Sequence, residues 1–243
     1  MRGHAVKTDR SERDTLLIDF DGTICATARA VRFSLETVFS EISVGSPDPK
    51  RVETSIGSGH TLRETFLSLH PNSGISDDEI VRLEYRYREV YSSAGYQYEA
   101  LFSGAEATLE ECARNARIII LSNKGLGAIE AALGRFGLRQ HVSAVVAESP
   151  GMPWKPDARL FDAVRRRIGG VRRERSLVVG DTEADLRFAR NAGLRSCWAL
   201  YGYGHHARCM AVGHDYVLDQ LESLPGILRD WSARRSSGSE YPK

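Results

Sequence analysis

The chain has 243 residues, 42% of them hydrophobic, and its 33 Lys plus Arg nearly balance 32 Asp plus Glu. That length and apolar share support one large or two modest packed domains, and the balanced charge supplies no global field for gripping nucleic acid or an anionic membrane. Four dispersed cysteines, Cys25, Cys112, Cys197 and Cys209, form no CxxC pair, which argues against a zinc site or a disulfide framework and for a reducing, cytoplasmic setting.

The opening MRGHAVKTDRSERD is polar throughout and lacks the apolar stretch of a signal peptide. With little to bury, residues 1–13 are expected to be a loose tail. TLLIDFDG at 15–22 is an apolar, β-branched run that ends in turn-forming residues, the pattern of a buried strand. Almost a hundred residues pass before the next such run, far more than a single crossover helix needs, so an insert is expected there. Val31, Leu35, Val38, Phe39 and Ile42 mark one amphipathic helix in it, and Leu62, Phe66 and Leu69 mark another. A third begins at Ser76, whose spacing to Glu79 matches a capping box, and runs through Ile80, Leu83, Tyr87 and Val90. Buried-strand runs then recur at 116–123, 144–149, 176–182 and 196–202, with a weaker one at 215–218. Helix-period sequence fills the gaps, as in Ile129, Leu133 and Phe136, or Leu160, Phe161, Val164 and Ile168. Such alternation predicts an α/β fold whose parallel sheet is covered on both faces. Residues 234–243 are expected to form a second loose tail.

Four polar segments each sit where one of these strands ends, the place where an open α/β sheet presents its crevice. They are Asp19-Phe20-Asp21-Gly22-Thr23, Ser122-Asn123-Lys124, Lys155-Pro156-Asp157 and Gly180-Asp181-Thr182-Glu183-Ala184-Asp185. Carboxylates at the end of a strand that is otherwise TLLI are costly to bury unless they hold a cation or perform a chemical task. Magnesium takes oxygen ligands, usually one or two of them carboxylates, and Asp19 and Asp181 suit that role.

In order and spacing, the four segments resemble the haloacid dehalogenase superfamily, particularly its phosphoglycolate-phosphatase-like branch, over about 15–225. The resemblance implies a doubly wound, Rossmann-like catalytic core made of 14–26 and 101–233, with a helical cap over 27–100. It also implies a phosphatase in which Asp19 attacks phosphorus to form an aspartyl-phosphate. Asp21 then serves as general acid and base, Ser122 binds a phosphoryl oxygen and Lys155 offsets negative charge. Gly22, Thr23 and Asn123 fall among the phosphate-binding residues. A magnesium ion is implied between Asp19, the carbonyl of Asp21 and Asp181, with Asp185 in support. Asp21 separates this chain from the dehalogenases, which lack that aspartate, and from ion-pumping ATPases, which carry threonine there. Phosphomutases of the β-phosphoglucomutase type keep the same aspartate, so phosphoryl transfer is the alternative, and a binding protein without turnover is a third reading.

Within the insert, Ile56-Gly57-Ser58-Gly59-His60-Thr61-Leu62 is similar to the glycine-containing substrate loop of phosphoglycolate phosphatases. Gly57, Gly59, His60 and Arg63 are therefore candidate substrate contacts, while the same segment also reads as a flexible turn that opens a helix. Where the family usually carries a proline, this chain has Leu101-Phe102-Ser103-Gly104. The partner expected is a small phosphorylated metabolite, with neither nucleic acid nor membrane. Monomer and weak dimer both stay open. Six arginines in 165–175 read as a solvated edge, Tyr201-Gly202-Tyr203-Gly204 and the following histidines as a structural turn near the site, and Trp154 as a packing residue.

Overall fold

A computed structural model describes residues 13–42, 45–72 and 74–237. The chain enters through strand β1 (Asp14–Ile18) and a short β2 (Cys25–Ala26), then makes four helices: α1 (Ala28–Glu41), α2 (Pro49–Ile56), α3 (Leu62–Leu69) and α4 (Asp77–Ser93). A short β3 (Ala100–Leu101) pairs antiparallel with β2, so both ends of the helical insert leave through one narrow ribbon. Then follow α5 (Ala105–Asn115), β4 (Ala116–Gly125), α6 (Leu126–Arg135), β5 (Ala144–Glu148), α7 (Arg159–Ile168), β6 (Ser176–Gly180) and α8 (Glu183–Ala192). The chain closes with β7 (Arg195–Ala199), α9 (His206–Val212), β8 (Tyr216–Leu218) and α10 (Leu224–Ser237).

The six long strands form one parallel sheet in the order β5-β4-β1-β6-β7-β8. Alternation along β1 explains its two coats. Leu16 and Ile18 join Ile118, Ile120 and Leu177 in one core, and Leu17 joins Ile119, Val178 and Phe188 in another. The expected doubly wound α/β core is therefore present. The crossover from β1 runs to one side of the sheet and that from β6 to the other, which puts the topological switch point at the carboxyl ends of these two strands. Ile18 is in register with both Ile120 and Val179, so the residues after β1 and β6 emerge at one level.

The insert has its own core, in which Leu35, Val38 and Phe39 of α1 meet Val52, Phe66, Ile80 and Leu83. Helix starts are set locally. Thr61 and Glu64 form a reciprocal capping box at α3, and Ser76 Oγ accepts from Glu79 N at 3.3 Å at α4. Helix α2 was absent from the sequence reading. Only Val52 and Ser55 are buried in it, although Asp48, whose side chain accepts from Lys50 N, and Pro49 at the first position give a regular start.

The tails need correction where they are described. Residues 1–12 and 238–243 lie outside the described residues, but α10 continues to Ser237 rather than loosening at 234. Arg235 donates to both oxygens of the buried Asp14, at 2.8 and 3.1 Å, and Arg13 Nη2 donates to the carbonyl of Ala113 at 2.9 Å. The end of the chain thus pins the base of β1. Of the Arg-rich stretch, 165–167 are exposed while Val171 is buried. Among the described residues no helix is long and apolar enough to cross a membrane.

Candidate active site

Asp19 begins the loop after β1, and its backbone N–H still donates to Val179 O at 2.8 Å, which locks it beside the end of β6. Lys155, after β5, reaches across with Nζ 2.7 Å from Asp19 Oδ1 and 2.6 Å from Asp185 Oδ1. Asp185 Oδ2 accepts from Thr182 N at 3.0 Å and Thr182 Oγ1 at 2.7 Å, the capping box that starts α8. Asp181, fully buried, accepts from Thr23 Oγ1 at 3.2 Å and from Tyr203 N at 2.7 Å. One oxygen from each of Asp19, Asp181 and Asp185 lies within 4.8 Å of the others.

Three buried carboxylates against a single lysine leave the cluster short of positive charge. Burial pushes the Asp19 carboxyl up to about 6; the Lys155 ammonium works against that rise, and the charges of Asp185 and Asp21 add to it. Burial, then Asp185 and Asp19, also raises Asp181 well above the usual carboxylate range. Lys155 moves up as well, since Asp185 and Asp19 outweigh the burial that would lower it. An all-oxygen donor set with unbalanced negative charge fits a hard divalent cation such as Mg2+.

Asp21, partly open to solvent, faces a cavity of about 1070 Å³ between core and insert, which Asp19, Ser122 and Lys155 also line. Its carboxylate is held by Lys124, with Nζ 3.1 Å from Oδ1 and 3.3 Å from Oδ2. Lys124 Nζ also donates to Tyr91 Oη at 2.8 Å and lies 4.2 Å from the centre of that ring. Tyr91 Oη in turn donates to Glu99, which pairs with Arg135. Lys124 stands within the segment singled out by sequence but was given no role, and Tyr91 was not singled out. Their connection spans α4 and the carboxyl end of β4, which no local pattern reveals.

Several residues expected to touch substrate also hold structural bonds. Thr23 is fully buried, with its hydroxyl spent on Asp181. Gly22 N donates to Cys25 O at 2.9 Å, and a Cβ there, at φ +76°, would sit 2.3 Å from Asp181 Oδ2. Asn123 Nδ2 donates to the carbonyls of Gly59 and Lys155, at 2.8 and 2.9 Å, and its Oδ1 accepts from Lys155 N at 2.9 Å. Gly57 and Gly59 permit close approach between insert and core, because a Cβ on Gly57 would meet Tyr203 O at 2.4 Å and one on Gly59, which lines the cavity, would meet Thr182 Oγ1 at 2.6 Å. Ser122 stays poised at the cavity, and its Oγ accepts from Lys124 N at 3.3 Å. His60 and Arg63 line the same cavity, Arg63 already paired with Asp77. Trp154, read as a packing residue, is 47% exposed and lines it as well. The 201–204 segment is the expected turn, with Tyr203 N on Asp181 and Tyr201 Oη on Thr23 O at 2.6 Å.

Gly59→Ala tests the interlock between insert and core. Gly59 has φ +70°, so alanine adds backbone strain to the contact with Thr182. The expected result is a loss of about 1–3 kcal/mol in stability together with a lower kcat/KM, read by thermal melting and kinetics. Unchanged values of both would show that the loop does not seat the insert.

The haloacid dehalogenase-like hydrolase family matches the chain over residues 16–199, and the chain belongs to that family. Within it the chain falls in the phosphoglycolate-phosphatase-like branch, a phosphatase by that membership. It is 26% identical over 216 residues to the plasmid phosphoglycolate phosphatase of Cupriavidus necator, covering 88% of this chain and 92% of that one. It is 37% identical over 127 residues to the pyrimidine 5'-nucleotidase YjjG of Escherichia coli, covering 51% of this chain and 55% of that one. A haloacid dehalogenase-like family hydrolase from Streptococcus pneumoniae shares the fold at a TM-score of 0.76 and 21% identity, covering 88% of this chain and 98% of the other.

Proposed function

We propose that the chain hydrolyses a small-molecule phosphate monoester through an aspartyl-phosphate on Asp19, with Mg2+ as cofactor. The observation that carries this reading is the buried Asp19–Lys155–Asp185–Asp181 cluster at the switch point, opening onto the cavity through Asp19 and Asp21. Asp19 and Asp181, with the carbonyl of Asp21, would hold the ion, and Asp185 would back them. When bound, the ion supplies charge neutralisation for the phosphoryl group and its attacker.

Lys155 orients Asp19 for in-line attack on phosphorus and offsets the charge that gathers there. As the phosphorus–oxygen ester bond breaks and the Asp19–phosphorus bond forms, protonated Asp21 gives its proton to the departing alkoxide. Asp21, now ionised, takes a proton from the water that attacks phosphorus in the second step, which frees Asp19 and inorganic phosphate. Ser122 holds a phosphoryl oxygen, and the insert acts as a cap that excludes bulk water.

The test is phosphate release from a panel of monoesters. It is expected with magnesium and lost with EDTA. An isomeric phosphorylated product with little free phosphate would instead mark phosphoryl transfer. A binding readout stands beside it: magnesium, binding only the folded chain, raises the melting temperature of the wild type and not of Asp181→Asn. Equal shifts in both would remove Asp181 from the metal site.

A further inference from the structure

Resting on the phosphatase reading, we infer that the group leaving with the ester oxygen is bulky, uncharged and carries a flat ring, so that the substrate class is a nucleoside 5'-monophosphate. Three independent features of the cavity lead there. At about 1070 Å³ it lies just above the roughly 300–1,000 Å³ range of pockets that hold drug-sized molecules, and a two-carbon acid would leave most of it to water.

The second feature is charge. A substrate whose leaving group bears a carboxylate needs a cation to receive it, and the lysines and arginines lining the cavity are already partnered. Lys124 is held by Asp21 and Arg135 by Glu99, while Arg88 pairs with Glu148 at 3.2 Å and Arg63 with Asp77. Seating an anionic tail would mean sharing or breaking one of these pairs, whereas a neutral leaving group leaves them all intact.

The third feature is apolar surface open to the cavity. Trp154 stands immediately before Lys155, with 47% of its surface exposed, and Leu126 opens α6 directly after β4 with 40% exposed; both line the cavity. Large apolar side chains left open inside a cleft, rather than on an outer surface, are where a flat ring gains by displacing water. A bare sugar phosphate would satisfy neutrality but leave that surface wet. A nucleobase covers it and brings polar edges for the polar groups of the lining, His60 and Glu84 among them. Base stacking on an aromatic side chain is sequence-tolerant, so all four common bases are expected to be accepted.

The experiment compares kcat/KM for nucleoside 5'-monophosphates, ribose 5-phosphate and 2-phosphoglycolate with magnesium, in wild type and in Trp154→Ala. The expected result is that nucleotides exceed ribose 5-phosphate by about tenfold or more, that phosphoglycolate is poorest, and that the nucleotide-to-ribose ratio falls about tenfold in Trp154→Ala, chiefly through KM. A wild-type preference for phosphoglycolate, or equal use of ribose 5-phosphate and nucleotides, overturns the inference while leaving the phosphatase reading in place. A second arm needs no turnover: AMP added to Asp19→Asn should quench the emission of Trp154, since the other two tryptophans, Trp198 and Trp231, are buried. Quenching without hydrolysis of any ester by the wild type sinks the phosphatase reading and keeps the pocket assignment. Hydrolysis without quenching does the reverse.

Discussion

Asp19→Asn is expected to lower kcat by on the order of 10⁴-fold or more, because an amide cannot take the place of the attacking carboxylate. The fold should survive the change. Lys155 keeps its 2.6 Å bond to Asp185, and the Asp19 backbone bond to Val179 is untouched. Melting and circular dichroism check that point. Rapid quenching during turnover of a radiolabelled ester should then label the wild-type chain and leave the variant unlabelled. Substantial activity in the variant would refute covalent catalysis, because the remaining groups could only be assisting a direct attack by water.

Lys124→Met is expected to separate two substrates that differ in what their leaving groups require. An alkyl ester must receive a proton as it departs, a task worth about 10²–10⁴-fold to a well-placed acid, whereas p-nitrophenolate departs without one. Lys124 does not reach the reacting atoms in the proposed chemistry. It holds both oxygens of Asp21, at 3.1 and 3.3 Å, and is itself held by Tyr91. Removing it lets Asp21 swing. Read on the first step, the single-turnover phosphorylation of Asp19, the alkyl ester should lose roughly 10- to 100-fold in rate and p-nitrophenyl phosphate less than about threefold, since the base role of Asp21 in the second step serves both esters alike. Equal losses on the two esters would make Lys124 a purely structural residue. Tyr91→Phe should show the same split more weakly, because the ring beneath Lys124 remains and only the hydroxyl acceptor is gone.

These two residues also mark how far the sequence could be read. Lys155, seven residues past Glu148, was picked out by the resemblance in order and spacing, whereas Asp19, Ser122 and Asp181 were legible because each stands at the end of a short apolar run that reads as a buried strand, where a polar group calls for an explanation. The sheet was legible for the same reason. Lys124 carried no such signal, since its partners Asp21 and Tyr91 lie 103 and 33 residues away and nothing local says that they meet. Gly57 and Gly59 were visible as glycines, yet what closes on them, Tyr203 and Thr182, belongs to loops far along the chain. Thr23 and Asn123 have the polarity of ligand contacts, and only the fold shows that their bonds are spent on Asp181, Gly59 and Lys155. Helix α2 escaped because Val52 is its sole buried apolar residue, too little for a period to register.

The amide of Asn123 acts as a coupling with a fixed jaw and a free one. Two of its three bonds close on the backbone of Lys155, within the core, and one closes on Gly59 O in the insert. If the insert lifts to release phosphate, of these three bonds only the one to Gly59 has to break. Lys155, and through it Asp19 and Asp185, keeps its place for the next turnover, so the cost of opening is confined to the seam and is not levied on the chemistry beneath it.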